Sequence, residues 1–276
     1  MKFDDFDKKM RSYEESLDQI IPEDIYIVAR LDGRSFTKLT KETVGFDAPF
    51  DERFRNLMVD TTKYLIENSG FQILYGYTQS DEISLLFKKT DNTFGRKVRK
   101  INTTLAAEAS VAFNKFYQNL HGVPSGIMAT FDCRVIPLPN LEKVKDYFLW
   151  RQEDSNRNAL NGWCYWTLRK EGSSARAATK TLSGKGNSFK TELLFERGIN
   201  YKNLPSWQKN GVGLNVAEVE KIGFNPMRNE SVSTKRRQLV INYDLPIHSK
   251  YGEFIETLVN KEGPIPVKEE NEDYER

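Results

Sequence analysis

An α+β fold is predicted for this chain by three observations. Short apolar runs at 26–29, 71–77, 82–87 and 129–135 read as strands. Two longer stretches, 51–69 and 94–120, carry apolar residues at helical spacing and lie between those runs. The resulting order over residues 25–136 is strand, helix, strand, strand, helix, strand, which is the ferredoxin-like βαββαβ plan.

The elements follow from the residues in order. Phe3, Phe6, Met10, Tyr13, Leu17 and Ile20 recur at helical spacing, so 3–20 is expected as a helix ended by Pro22. Tyr26-Ile27-Val28-Ala29 is a buried strand running into Arg30-Leu31-Asp32-Gly33-Arg34. Residues 51–69 form an amphipathic helix that stops near Gly70. The strands 71–77 and 82–87 are joined by the polar turn Thr78-Gln79-Ser80-Asp81. Residues 94–120 are the longest helical stretch, basic at the start, alanine-rich later, and broken by Gly122-Val123-Pro124. Strand 129–135 completes the plan. Residues 142–167 read as mostly helix, interrupted near Gly162, and 172–189 as a mobile loop or a pair of short helices around one. Val212-Gly213-Leu214 and 238–243 are late strands, and the charged end 268–276 is expected to fray. No internal repeat is present. The reading is a catalytic core over 1–136 and a C-terminal α/β extension over 137–276 that completes the same domain.

Composition excludes several classes. Lysine and arginine number 41 against 39 acidic residues, so overall charge does not announce a polyanion and the placement of charge must decide. Cys133 and Cys164 fit neither a disulfide framework nor a metal-binding spacing and read as reduced thiols. The first ten residues are polar and acidic, unlike a signal peptide. No apolar run approaches the roughly 20 residues that span a membrane. A cytoplasmic protein without a membrane partner is expected. The only histidines, His121 and His248, sit beside no nucleophile, so histidine acid–base chemistry is not expected.

The plan brings two acidic segments together. The first strand ends at Asp32-Gly33 and the central hairpin turns at Ser80-Asp81-Glu82, so these groups are expected at neighbouring strand ends. Magnesium takes oxygen ligands and is commonly held by one or two carboxylates plus substrate phosphates, and a pair of ions serves in-line displacement at phosphorus. Each segment alone reads more often as an ordinary polar turn; their convergence makes metal-assisted chemistry an equal reading.

Longer motifs carry a resemblance. Arg30-Leu31-Asp32-Gly33-Arg34-Ser35-Phe36, Gly76-Tyr77-Thr78-Gln79-Ser80-Asp81-Glu82-Ile83-Ser84-Leu85-Leu86-Phe87, Trp150-Arg151-Gln152-Glu153-Asp154 and Phe195-Glu196-Arg197-Gly198-Ile199-Asn200-Tyr201 occur in that order. Over about residues 3–245 the chain resembles the tRNA-His guanylyltransferase-like family. The resemblance implies a polymerase-palm-like core, a homotetramer, and 3′-to-5′ nucleotide addition to the 5′ end of a tRNA. ATP or GTP activates the 5′-monophosphate, the 3′-hydroxyl of an incoming nucleotide attacks it, and pyrophosphate is removed. It further implies two Mg²⁺ ions on Asp32, Asp81 and the Gly33 carbonyl, with Glu82 supporting them as a third catalytic group. Nucleotide contacts are implied for Gly33, Arg34, Ser35, Phe36, Asp51, Ser80, Lys97 and Lys100. Contacts to tRNA are implied for Arg30, Asn158, Arg176, Lys180, Lys185, Lys190 and Lys209.

The chain also departs from the pattern. Asn156-Arg157-Asn158-Ala159-Leu160-Asn161-Gly162 stands where eukaryotic members carry His-Ile-Asn-Asn-Leu-Tyr-Asn, which favours the branch that repairs truncated 5′ ends against a template. Thr37 replaces a common histidine and Ala48 a common lysine.

Local basic clusters accord with a nucleic-acid partner. Arg96, Lys97, Arg99 and Lys100 open a predicted helix, where cations oppose the helix dipole and a bound phosphate would account for them. Arg169, Lys170, Arg176, Lys180, Lys185 and Lys190, with Lys235-Arg236-Arg237, suit an RNA backbone. Trp163, Tyr165 and Trp166 read as core residues before base-stacking ones. Two other functions compete: a palm-type nucleotide cyclase, and a non-catalytic RNA-binding protein with a degenerate palm.

Overall fold

The computed structural model describes residues 2–40, 45–121, 128–225, 230–260 and 265–267. Its centre is a four-stranded antiparallel sheet made of β1 (Tyr26–Gly33), β2 (Ile73–Gln79), β3 (Glu82–Phe87) and β4 (Phe131–Leu138), in the order β4-β1-β3-β2. With helices α3 (Glu52–Asn68) and α4 (Val98–His121) as the crossovers, this is the predicted ferredoxin-like order. The sheet then grows past β2: β5 (Val212–Asn225) pairs with it antiparallel through Val212 to Asn215, and β6 (Glu230–Asn242) pairs with β5. A short β7 (Ile265–Val267) runs parallel to β5 beside Ala217 to Val219. The C-terminal half thus shares one sheet with the core.

Strand alternation explains the layers. Ile27, Ala29 and Leu31 of β1 join Ile83, Leu85 and Phe87 of β3 on the face covered by α3 and α4. Val28, Tyr75, Tyr77 and Leu86 face the other way, onto Val144, Tyr147 and Phe148 of α5 (Leu141–Lys170) and Tyr251, Ile255 and Leu258 of α9 (Ser249–Asn260). Both faces are apolar because both are covered. The buried hydroxyls on the second face pair off, Tyr75 with Tyr251 and Ser84 with Tyr147, each at 3.0 Å.

Several expectations need correction. Residues 142–167 are not interrupted at Gly162: α5 runs unbroken for 30 residues and is the longest helix described, ahead of the 24-residue α4. A mid-helix glycine costs about 1 kcal/mol relative to alanine, and here the flanking Leu160, Cys164 and Leu168 pack against α6 (Ala175–Leu182) and α7 (Asn187–Phe195). Burial of that stripe outweighs the glycine. Residues 172–189 are accordingly a pair of short helices with their own core. The first helix, α1, spans Phe3–Glu15 and stops well short of Pro22; none of its residues is buried. The predicted fraying at 268–276 lies outside the described residues. Among those described, no helix is long and apolar enough to cross a membrane.

Candidate active site

The site is built at one end of the sheet. Antiparallel register sets Asp32 opposite Glu82 of β3 and opposite Asp132 of β4. Ser80 and Asp81 form the tight link between β2 and β3, with Ser80 in the left-handed region at φ 53°. The Gly33 amide donates to the Asp81 carbonyl at 3.1 Å, which ties this turn to the end of β1. A side chain at Gly33 would run into the ring of Phe36, so the glycine lets the short helical turn α2 (Phe36–Lys38) fold back over the strand end. Phe36 is buried there against Phe113 and Phe131, and Ser35, at φ 61°, opens the turn.

Electrostatics separate the three acids. Burial is the main force pushing the Asp81 carboxyl up to about 6; the Ser80 hydroxyl, donating at 3.0 Å, offsets part of this, and the charges of Asp32 and Glu82 add to it. Asp32 is raised as well, by burial first and then by Glu82 and Asp132. Glu82 is engaged differently. One of its oxygens pairs with Arg30 and the other with Arg151 at 2.5 Å. Arg151 is buried, reaches Asp154 at 3.0 Å, and lies 4.5 Å from the centre of the Trp150 ring.

Asp32 and Asp81 are therefore two neighbouring, partly desolvated carboxylates without a basic partner on Asp81 among the described residues. Such a donor set, with the Gly33 carbonyl beside it, fits a hard divalent cation. Among the described residues no three His, Cys, Asp or Glu side chains form a ready-made metal cage.

A cavity of about 270 Å³ opens beside Asp81. Phe46, Phe50 and Phe54 line it from the N-terminal half, Trp166 of α5 and Trp207 of α8 (Ser206–Asn210) from the C-terminal half, and Ser80 and Asp81 form part of its wall. Aromatic walls with a polar mouth suit a planar base whose phosphates lie toward the carboxylates. Trp207 and the phenylalanines were not singled out from sequence. Their signal is the aromatic bracketing of Phe46-Asp47-Ala48-Pro49-Phe50-Asp51. Trp163, by contrast, packs on Phe50 and donates to Gln208 at 3.3 Å, as a structural residue does.

Other expected residues are placed less simply. Asp51 lines the cavity, but its oxygens accept from the backbone amides of Arg53 (2.7 Å) and Asp47 (2.8 Å) and from the Arg53 side chain. Burial opposes its ionisation, yet these donors prevail and hold it at about 2. It caps α3 and fixes the pocket turn. Arg34 and Ser35 are exposed at the strand end, with the Arg34 amide donating to the Thr130 carbonyl at 2.8 Å. Arg30, expected at RNA, lies on the face of β1 that α5 covers and pairs with Glu82.

Lys97 and Lys100 are not at this site within the chain. They open α4 at the opposite end of the sheet, where Ile20 and Lys97 form a β-bridge just ahead of β1. Three of the four basic residues there have ion-pair or hydrogen-bond partners among the described residues. Lys97 pairs with Asp18 at 2.8 Å, Arg99 pairs with the same carboxylate, and buried Arg96 donates to the carbonyls of Ile21, Lys89 and Asp91. Among the residues expected at RNA, Arg176, Lys180 and Lys185 are exposed on α6 and the turn after it, and Lys190 is half-buried on α7. Asn158 donates to Asp154 at 3.2 Å, and Lys209 to the Lys202 carbonyl at 2.8 Å. Arg236 and Arg237 are exposed on β6.

Known proteins resemble this chain in sequence and in fold. A family model described as tRNAHis guanylyltransferase matches residues 7–139, and one described as the Thg1 C terminal domain matches residues 142–250. The chain is 34% identical over 203 residues to the tRNA(His) guanylyltransferase of Candida glabrata, covering 71% of this chain and 84% of that protein. It is 30% identical over 255 residues to a probable tRNA(His) guanylyltransferase of Dictyostelium discoideum, covering 90% and 97%. Among solved structures, a bacterial tRNA(His) guanylyltransferase (Thg1)-like protein in complex with ATP superposes with a TM-score of 0.73 at 28% identity, over 92% of this chain and 99% of that one. The Saccharomyces cerevisiae enzyme superposes at 0.67 and 27% identity, over 81% and 95%. With two family models matching successive stretches of the chain and the palm-like sheet in place, the chain belongs to the tRNAHis guanylyltransferase family.

Proposed function

We propose that this chain is a magnesium-dependent nucleotidyltransferase that adds nucleotides to the 5′ end of a tRNA in the 3′-to-5′ direction, with ATP or GTP activating the 5′-monophosphate. The observation that carries the reading is the joining of two features at one residue: Asp81 belongs both to the pair of desolvated carboxylates and to the wall of the aromatic cavity. A base held there leaves its phosphates next to Asp32 and Asp81. The relatives named for ATP and GTP complexes support nucleotide binding at such a core.

The residues divide the work. Asp32, Asp81 and the Gly33 carbonyl would hold the cation or cations, and Ser80 orients Asp81 by its hydrogen bond. Magnesium, when bound, supplies Lewis-acid polarisation of phosphoryl oxygens and eases ionisation of the attacking 3′-hydroxyl. Glu82, held by Arg30 and Arg151, fixes β3 to β1 and α5 and so keeps Asp32 and Asp81 in register. Exposed Arg176, Lys180 and Lys185 offer phosphate contacts to the tRNA. The Asn156–Gly162 departure supports templated repair of shortened 5′ ends.

A homotetramer belongs to the same reading. Helix α1 leaves Phe3 77%, Phe6 51% and Tyr13 63% exposed, with Leu17 beyond it at 89%, an apolar stripe that a second copy would cover.

The deciding experiment supplies a 5′-phosphorylated tRNA lacking its first nucleotide, magnesium and all four triphosphates. Restoration of the missing nucleotide is the expected product, alongside a full-length tRNA-His control. Formation of a cyclic nucleotide from triphosphate alone, with no extended RNA, would overturn the proposal.

A further inference from the structure

Trp207 is a wall with two sides. One side faces the aromatic cavity at Asp81; the other faces a wider groove of about 650 Å³. Lys202, Lys209 and Lys250 line that groove against a single carboxylate, Asp244. Tyr243 (38% exposed) and Ile247 (45%) line the same groove and give it exposed apolar surface. The wall itself is braced: the Arg55 guanidinium sits 4.6 Å from the centre of the Trp207 ring and 5.0 Å from that of Tyr243. Lys209 is braced as well, through the Lys202 carbonyl and 5.8 Å from the Tyr201 ring centre. Lys202 and Lys250 are exposed at the rim.

A duplex offers such a groove only its phosphates, because its bases are stacked and paired. A groove that combines cations with exposed aromatic and aliphatic surface is matched by a flexible phosphodiester strand with unstacked bases. We infer that the groove behind Trp207 binds single-stranded RNA, namely the 3′ strand that overhangs the 5′ end being extended. This rests on the reading that the chain acts at the 5′ end of a tRNA. It adds a second strand to that reading. The nucleotide pocket and the groove share one indole, so a strand lying in the groove runs alongside the incoming base. The overhang is thereby held where the paired end terminates, and the duplex is positioned by its unpaired strand as well as by its backbone.

The test uses a 5′-phosphorylated acceptor-stem hairpin in two forms, with the 3′ overhang and blunt. Wild-type protein is compared with Lys202→Glu/Lys250→Glu, which alters only the exposed rim and leaves Trp207, Arg55 and Lys209 in place. The expected result is tighter binding of the overhang form by wild type, a loss of about tenfold or more for that form in the variant, and little change for the blunt form. ATP binding by the variant should match wild type, which also reports an intact fold. Equal binding of both forms by wild type, or an equal loss for both in the variant, overturns the inference while leaving 5′-end chemistry intact. Wild type that binds neither form defeats the tRNA reading and this inference together.

Discussion

Two aspartates at opposite ends of one sheet have opposite surroundings. Asp18, ahead of β1, takes hydrogen bonds from Arg99 and Lys97 and is held at about 2. Asp81, at the far end, is pushed by burial up to about 6, and no cation pairs with it among the described residues. The sequence clusters its basic residues near the first and its carboxylates near the second. The first end is closed upon itself, because its charges already satisfy one another. The second has an unbalanced charge that a ligand must meet. Glu82 sharpens the contrast, since it adjoins Asp81 in sequence yet is neutralised by Arg30 and Arg151.

The largest expected effect breaks the open end. Asp81→Ala should reduce nucleotide addition by about a thousandfold or more, the loss of several kcal/mol of metal-assisted stabilisation. Binding of tRNA, followed by fluorescence anisotropy, should stay near wild type. Addition at the wild-type rate would remove Asp81 from the chemistry. Next comes the anchored neighbour. Arg151→Met leaves Glu82 paired with Arg30 and Asp154 paired with Arg157, and should cost about 2–3 kcal/mol in urea unfolding, the loss of a buried charged hydrogen-bonding partner. A change below about 1 kcal/mol would show the pair to be incidental.

The pH response separates the two aspartates further. Asp81 has a folded pKa above its unfolded value, so the folded state retains a proton that the unfolded state has lost between about 4 and 6. Its contribution to stability is present below about 4 and lost as pH rises through about 6. Metal-free protein should therefore gain more in Tm from added magnesium at pH 7.5 than at pH 5, and Asp81→Asn should reduce that difference to the part due to Asp32. Asp18 has the opposite sign: its contribution is present above about 4 and lost only as pH falls toward about 2. A magnesium response that is flat with pH would contradict the assignment. The smallest effect lies on the surface. Lys180→Ala/Lys185→Ala should weaken tRNA binding modestly and lower the slope of log affinity against log salt by about 2; an unchanged slope would remove these lysines from the RNA contact.

Much of the core was legible in the sequence, for identifiable reasons. The apolar alternation of β1 and β3 and the helical spacing of α3 appear in local windows, and their order limits the topology. Asp51 was picked out as a nucleotide contact; it caps α3 and also lines the cavity, and an acid just before a helix reads the same in either role. Trp166 was read as core, yet it borders the cavity, because α5 runs on past the sheet and carries it there. No local window contains that fact. Lys97 illustrates the same limit, since its partner Asp18 lies far away in the chain, between α1 and β1.

The sequence by itself determined the strand and helix order of residues 25–136, the motifs that mark the family, and the identity of the acids at the strand ends. These depend on residue types at short spacing, which local physics reads directly. Only the tertiary structure decided which acids are neutralised and which are not, which aromatic side chains meet across the two halves, and which lysines share a groove. Charge balance and cavity shape arise from contacts between residues far apart in the chain, and the partner in each contact is chosen by packing.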